Sequence, residues 1–278
     1  MVDMSNNKAF QDKVVVITGA SSGIGKACAL RFSEQGASLV LAARNSNNLA
    51  ELAKELIEKK CKVLTVIADV AVEEDCENLI KQTINKFGKI DVLVNNAGIS
   101  MRALFNDLDL NVIRKVMDVN FWGTVYCTKF ALPYILVEKG SIVGISSIAG
   151  KKGLPARTGY SASKFAMEGF LETLRTENLH KELHVLVACP GFTASNIRNT
   201  ALSKDGSSQG ESPRDEAEMM QPKEVAERIV NAVANRKRDL VMTFQGKLTV
   251  ILNKFFPAFM DKMVFNHMLK EPDSPLKN

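Results

Sequence analysis

Apolar residues gather along the chain in short runs at 14–18, 39–42, 63–68, 90–94, 142–145, 185–188 and 240–243. Each run is short, apolar on both faces and bounded by Gly, Asn or charge, the pattern of strands buried in a parallel sheet. The segments between them change period. Leu49, Leu52, Ala53, Leu56 and Ile57 fall at i, i+3, i+4, i+7 and i+8, one face of an amphipathic helix. Strands alternating with helices predict βαβ units and an α/β fold: a doubly wound, mostly parallel, seven-stranded sheet flanked by helices. No internal repeat or compositional break marks a second domain, so residues 1–278 read as one domain with its core at 12–245.

Two segments leave this rhythm. Residues 195–221 are rich in Ser, Gly, Asp and Glu and show no clear element, which marks a functional or mobile loop and the expected seat of substrate choice. From 246 to 278 an amphipathic extension carries Leu248, Ile251, Leu252, Phe255, Phe259 and Met263 on one helical stripe, with Lys247, Lys254 and Lys262 elsewhere. Pro257 should kink that helix. The stripe is expected to form a lid or to touch a membrane surface, with plain packing or an oligomer contact as the alternatives.

Composition narrows the function classes. The 278 residues are 46% hydrophobic and 24% charged, ordinary for a globular protein. A net charge of +5 is modest, and the Lys and Arg residues are scattered, so no nucleic-acid partner is expected. Cys28, Cys61, Cys76, Cys127 and Cys189 lie far apart with no Cys-x-x-Cys pair, which argues against a metal site and for reduced, half-buried thiols. His180 and His184 are four apart but straddle the expected end of a helix and start of a strand. They read as surface or capping residues. The polar first twelve residues lack a signal-peptide core, and no apolar run nears the ~20 residues of a spanning helix; a cytoplasmic protein is expected, with peripheral membrane contact through the tail alone.

The first apolar run is followed at once by Thr18-Gly19-Ala20-Ser21-Ser22-Gly23-Ile24-Gly25 and then by a helical segment. Strand, glycine-rich turn and helix together offer a pyrophosphate close backbone approach and free N–H groups at a helix N-terminus. After the second run stands Arg44, where a carboxylate would bind the free ribose hydroxyls of NAD. A guanidinium pairs with a 2′-phosphate, so the expected cofactor is NADP(H). Tyr160 and Lys164 stand at i and i+4 and share a helix face. A phenol is a poor base at neutral pH, and a neighbouring ammonium would favour its phenolate. Of the three tyrosines, only Tyr160 has a lysine four residues on.

From residue 13 to 195 the chain resembles the short-chain dehydrogenase/reductase family, in its compact single-domain branch. The resemblance rests on the Thr18–Gly25 turn, Asn95-Asn96-Ala97-Gly98, Asn120, Ser147 thirteen residues before Tyr160, and Pro190-Gly191. It implies a Rossmann-like fold and a hydride transfer between nicotinamide and a carbonyl or secondary alcohol. Tyr160 would exchange the proton, Lys164 would bind the nicotinamide ribose and depress the Tyr160 pKa, and Ser147 would hydrogen-bond the substrate oxygen. Ser146 is the one-residue alternative to Ser147. Asn120 would hold a water in a relay behind Lys164. Gly19, Ser21, Ser22, Gly23, Ile24 and Gly25 would cradle the cofactor. Asp69 and Val70 would meet its adenine, and Asn96, Ala97 and Gly98 would pass close to it. Pro190, Gly191 and Thr193 would meet the nicotinamide end. Thr193 and Ser195 depart from the aliphatic residue and threonine frequent at those positions, but the backbone of residue 193 would still meet the nicotinamide carboxamide and Ser195 keeps a hydroxyl.

The substrate mouth should involve 100–105 and 151–157. Met101, Leu104 and Leu154 are candidates for an apolar wall, suited to a lipid- or steroid-like molecule. Lys151, Lys152 and Arg157 would suit an acidic substrate, though a solvated cationic surface is the favoured reading. The family resemblance implies a homodimer or homotetramer through the helices carrying Asn120 and Tyr160. The competing function is an NADP(H)-binding sensor without turnover, against which the intact Asn120, Ser147, Tyr160 and Lys164 set argues.

Overall fold

The computed structural model describes residues 8–194, 196–210, 219–271 and 273–277. Seven strands, β1 (Val14–Thr18), β2 (Ser38–Ala43), β3 (Val63–Ile67), β4 (Val92–Asn95), β5 (Ser141–Ile145), β6 (His184–Cys189) and β7 (Asp239–Val241), form one sheet. Its order is β3-β2-β1-β4-β5-β6-β7, and every neighbouring pair is parallel. The sheet is therefore wholly parallel and doubly wound, as the alternating runs predict.

Successive side chains of a strand point to opposite faces, so a strand covered on both sides must be apolar throughout. In β1, Val15 and Ile17 join one core with Phe32, Leu52 and Ile229. Val14 and Val16 join the other with Leu79, Ile135 and Leu171. The first face is covered by α1 (Gly23–Glu34), α2 (Ser46–Glu58) and α7 (Pro222–Ala234). The second is covered by α3 (Glu73–Phe87), α5 (Gly123–Val137) and α6 (Thr158–Glu177). Between β4 and α5 lie α4 (Leu110–Met117) and a π-turn at Asp118–Trp122.

The chain order reverses at β1 and β4. A crevice opens beyond the carboxyl ends of those strands, the ligand position of such sheets.

Several details correct the sequence reading. His184 is buried at the start of β6, with Nδ1 2.9 Å from Ser141 Oγ and Nε2 2.8 Å from the Lys237 carbonyl, so it is a core residue and no surface cap. His180 is exposed, as read. Cys28, Cys76, Cys127 and Cys189 are fully buried and only Cys61 is half-buried. All five are free, and Cys76 and Cys127 approach to 3.5 Å between α3 and α5. Pro257 does not kink a helix but starts one: α8 (Phe244–Phe255) ends before it, and α9 (Pro257–Leu269) takes it at a first-turn position that needs no N–H donor. The segment 196–210 is built of turns and pinned by Leu202, whose N–H donates to the Ser100 carbonyl and whose carbonyl accepts from the Arg102 N–H, both at 2.9 Å. Ser195 and residues 211–218 of the expected substrate loop lie outside the described residues.

Candidate active site

The glycine turn is shaped by contacts that exclude side chains. Gly19 has φ +63°, and a Cβ there would lie 2.8 Å from Ala97 Cα. A Cβ on Gly25 would lie 2.3 Å from the Gly19 carbonyl oxygen. Asn96 Nδ2 donates to the carbonyls of Thr18 (2.9 Å) and Gly19 (3.1 Å). Thr18 Oγ1 accepts from the N–H groups of Asn96 (3.0 Å) and Ala97 (3.1 Å). These bonds lock the turn after β1 to the turn after β4 across the switch point. Thr18, which sequence reasoning passed over, is the centre of that lock. Beyond it, α1 begins at Gly23 with no acidic residue in its first turn, leaving its N–H groups and positive dipole end to an anion.

Arg44 follows β2 with its side chain 63% exposed and 3.5 Å from Asp69 Oδ2. An ion pair that exposed is weak, so the guanidinium is held loosely. Asn45 caps α2 by accepting from the Asn48 N–H at 3.0 Å, and the first turn of α2 carries no acid. Asp69 has its own ties, accepting from the Ala71 N–H at 3.1 Å.

Asn120 is completely buried in the π-turn, where one extra residue per turn aims its side chain inward. Its Oδ1 accepts from the Ile99 N–H (2.8 Å), and its Nδ2 donates to the Ile99 carbonyl and to Ser163 Oγ (both 2.9 Å). Lys164 is buried, with Nζ donating to the Ile145 carbonyl at 2.9 Å and lying 5.8 Å from the Tyr160 ring centre. Burial pushes its ammonium down to about 8, opposed by Cys189 and Glu168. Ser147 caps the short turn after β5, accepting from the Ala149 N–H at 3.2 Å, and it stands near enough to the Tyr160 phenol to oppose the effect of burial on it.

The expected depression of the Tyr160 phenol is not found in this geometry. Burial pushes it above its ordinary value, and the groups that pull it down are Ser147 and the Arg157 guanidinium, not Lys164.

All expected site residues except Gly25 and Asn120 line one continuous cavity of about 520 Å³. Gly25 packs behind the turn, and Asn120 sits behind Lys164. The cavity also takes in residues that no spacing rule identifies. Arg157, expected at a solvated surface, is buried in its wall and donates to Ser100 Oγ at 3.0 Å and to the Met101 carbonyl at 3.3 Å. Arg198 donates to the Thr193 carbonyl at 2.9 Å. Leu154, a candidate for the apolar wall, lines the cavity, and Leu202 adds further apolar surface. Lys151 and Lys152 lie outside the cavity, paired with Glu168 and with Asp261. Met101 is buried beneath the mouth, in a cluster with Leu202 and Val116.

The chemistry of this donor set fits a dinucleotide: an anion-binding helix end, a bare backbone cradle, a cation beyond β2, and a hydroxyl–phenol–ammonium group at the far end. Among the described residues no three His, Cys, Asp or Glu side chains gather as metal ligands.

Comparisons with known proteins agree with that geometry. The chain is 37% identical over 275 residues to dehydrogenase/reductase SDR family member 7B of Mus musculus, covering 96% of this chain and 85% of that protein. A short chain dehydrogenase/reductase of Burkholderia phymatum, crystallised with NAD, superposes with a TM-score of 0.81 at 25% identity, over 90% of this chain and 96% of that one. An alcohol dehydrogenase of Thermococcus sibiricus, complexed with 5-hydroxy-NADP, gives 0.73 at 27% identity, over 83% and 95%. The profile of the short chain dehydrogenases matches residues 13–206, which span the sheet from β1 to β6 and the whole hydroxyl–phenol–ammonium group. The chain belongs to the short-chain dehydrogenase/reductase family, whose members are oxidoreductases.

Proposed function

We propose that this protein is an NADP(H)-dependent reductase that delivers a proton through Tyr160 to the oxygen of an apolar carbonyl substrate. The observation that carries the reading is that Ser147, Tyr160 and Lys164 line the same cavity as the glycine turn. When bound, the nicotinamide supplies the hydride. The protein's residues handle the rest.

Ser147 and Tyr160 converge on the position of a substrate oxygen, where their hydroxyls stabilise the negative charge that develops on it. A phenol held above its ordinary pKa is fully protonated at neutral pH and ready to act as the acid. Lys164 and Asn120 stand behind it and return the proton from solvent. Arg44 and the uncharged start of α2 hold the 2′-phosphate, and the N-terminus of α1 holds the pyrophosphate. That the B. phymatum relative was crystallised with NAD makes Arg44 the residue on which the cofactor preference rests.

The decisive experiment follows NADPH absorbance across a panel of ketones, aldehydes, steroids and acyl-derived carbonyls, with Tyr160→Phe alongside. Turnover in the parent that vanishes in the variant supports the reading. NADPH binding without turnover on any carbonyl or alcohol supports the sensor instead.

The same reading extends to partners. Trp122, Tyr134 and Phe165 are exposed on the helices near Asn120 and Tyr160, which fits a homodimer formed through that face. The exposed phenylalanines of α8 and α9 stand among Lys247, Lys254, Lys262 and Lys270, which fits an anionic lipid surface. Among the described residues no helix is long and apolar enough to cross a membrane.

A further inference from the structure

Helix α6 carries three chemistry-bearing side chains at i, i+4 and i+8: Tyr160, Lys164 and Glu168. The first two belong to the proposed reaction. The third is a carboxylate with a side chain only 12% exposed, and its bonds reach three other elements. Its Oε1 accepts from Ser146 Oγ at 2.6 Å and from Cys189 Sγ at 3.5 Å. Its Oε2 lies 2.6 Å from Lys151 Nζ, which is also 3.7 Å from Asp239 of β7. Gly150 leaves the room: a Cβ there would fall 2.4 Å from Glu168 Oε1 and 2.5 Å from Ser146 Oγ.

Each contact abuts the cavity. Ser146 is the chain neighbour of Ser147. Lys151 closes the short turn that Ser147 begins. Cys189 precedes Pro190, and Lys164 itself bonds to Ile145, one residue before Ser146.

The charge argument points the same way. The charged and titratable groups around Lys164 are Tyr160 and Glu168 on its own helix, Cys189 on β6, Lys151, which shares the Glu168 carboxylate at 2.6 Å, and Arg157 beyond the phenol. Burial pushes the Cys189 thiol up to about 12, so it is neutral at physiological pH. Glu168 is then the anion that offsets the burial of the Lys164 ammonium.

We infer that Glu168 is a positioning residue: it fastens the Ser146–Ser147 corner and the end of β6 to the helix bearing Tyr160, and it sets its carboxylate one helical turn from Lys164. The inference rests on the reading of Ser147, Tyr160 and Lys164 as the reacting set. Removing the charge while keeping the shape should therefore alter the acid–base behaviour of the site, and not stability alone.

The test compares Glu168→Gln, Glu168→Asp and Ser146→Ala with the parent and Tyr160→Phe. In protein labelled at the lysine ε-carbons, the Lys164 resonance is identified by its loss in Lys164→Met and titrated by NMR, a readout that needs no turnover. In Glu168→Gln, Lys164 should lose its proton about one pH unit lower, and kcat should fall about tenfold or more, the scale of a misplaced catalytic group. NADPH affinity should stay within about threefold, because the glycine turn and Arg44 are untouched. Glu168→Asp should return the Lys164 titration toward the parent and recover part of kcat. Ser146→Ala should lower kcat without moving that titration.

An unchanged Lys164 titration in folded Glu168→Gln overturns the inference, as does a kcat loss that only follows the drop in Tm. Equal turnover in the parent and Tyr160→Phe would sink the reading of Tyr160 as the proton donor instead, while the NMR titration would still decide the charge role of Glu168.

Discussion

Residues whose chemistry is set by their immediate chain neighbours were the legible ones. Arg44, the Tyr160–Lys164 pair and the glycine turn other than Gly25 line the cavity as read from their motifs and the elements around them, because a strand end, a turn and a helix face fix where such side chains point. Glu168, Arg157, Arg198 and His184 were missed or misread, because what they touch comes from segments far along the chain; only the four-residue step from Lys164 pointed toward Glu168. The direction of the Tyr160 shift failed for the same reason, since burial outweighs Ser147 and Arg157, and no spacing reports burial. A phenol raised above 10 predicts opposite pH limbs for the two directions. Carbonyl reduction needs the protonated form and should hold level through neutral pH, then fall as pH rises through the phenol pKa. Alcohol oxidation needs the phenolate and should climb with pH over the same range. Initial rates in both directions check this, and a reduction rate that rose with pH would contradict it. Arg44→Ala should weaken NADPH about tenfold or more while sparing NADH, the scale of one lost charge-assisted hydrogen-bonded contact. His184 is held below its ordinary pKa, chiefly by burial. The unfolded chain therefore binds the extra proton first, and stability present above pH ~6.5 is lost as pH falls toward the folded-state value. His184→Gln, which cannot titrate, should flatten that acid limb of Tm against pH.

At the level of elements, every strand was placed within about two residues, the ordinary spread of boundary assignment. Double-faced apolar runs are unambiguous when a sheet is covered on both sides. The edges were harder: β3 turns Ile67 outward, and β7 is three residues long and largely uncovered, so neither carries a full burial signal. The turns owe their form to close approaches that sequence marks only by glycine. Gly25 lies so near the Gly19 carbonyl that Gly25→Ala must displace the Gly19 main chain and the Asn96 side chain that ties the two turns together. The expected result is a destabilisation of about 1–3 kcal/mol, typical of overpacking, with NADPH binding largely lost. Thermal melts with and without NADPH separate the two effects: the parent should gain Tm with cofactor and the variant should not. A variant that still gained the full shift would show that the approach of turn to turn is not what shapes the site.

For the whole molecule, the doubly wound sheet accounts for where the cavity lies, and the tail accounts for the surface beside it. Helices α8 and α9 stand against the cavity side of the sheet: His267 stacks on Phe192 of the cavity wall at 6.4 Å, and buried Arg102 is 3.5 Å from Glu271 just after α9. Their inner faces are thus committed to the protein. The outer face is not covered: Phe244 is 82% and Phe255 66% exposed, with Ile251, Phe256 and Phe259 more than half exposed. So many exposed large apolar side chains along two consecutive helices fit an interaction surface. Pairing it with a second copy would bring Lys247, Lys254 and Lys262 of both copies together, whereas an anionic bilayer satisfies the lysines and the phenylalanines at once. The protein should therefore sediment with phosphatidylcholine vesicles containing phosphatidylglycerol, weakly with phosphatidylcholine alone, and less in high salt as the lysine contribution is screened. Phe244→Ser with Phe255→Ser should abolish sedimentation while leaving Tm close to the parent, because both side chains are already in water. Equal binding to neutral and anionic vesicles would remove the charge argument. A concentration-dependent loss of oligomer in the double variant, with no vesicle binding by the parent, would assign the face to a second copy of the chain.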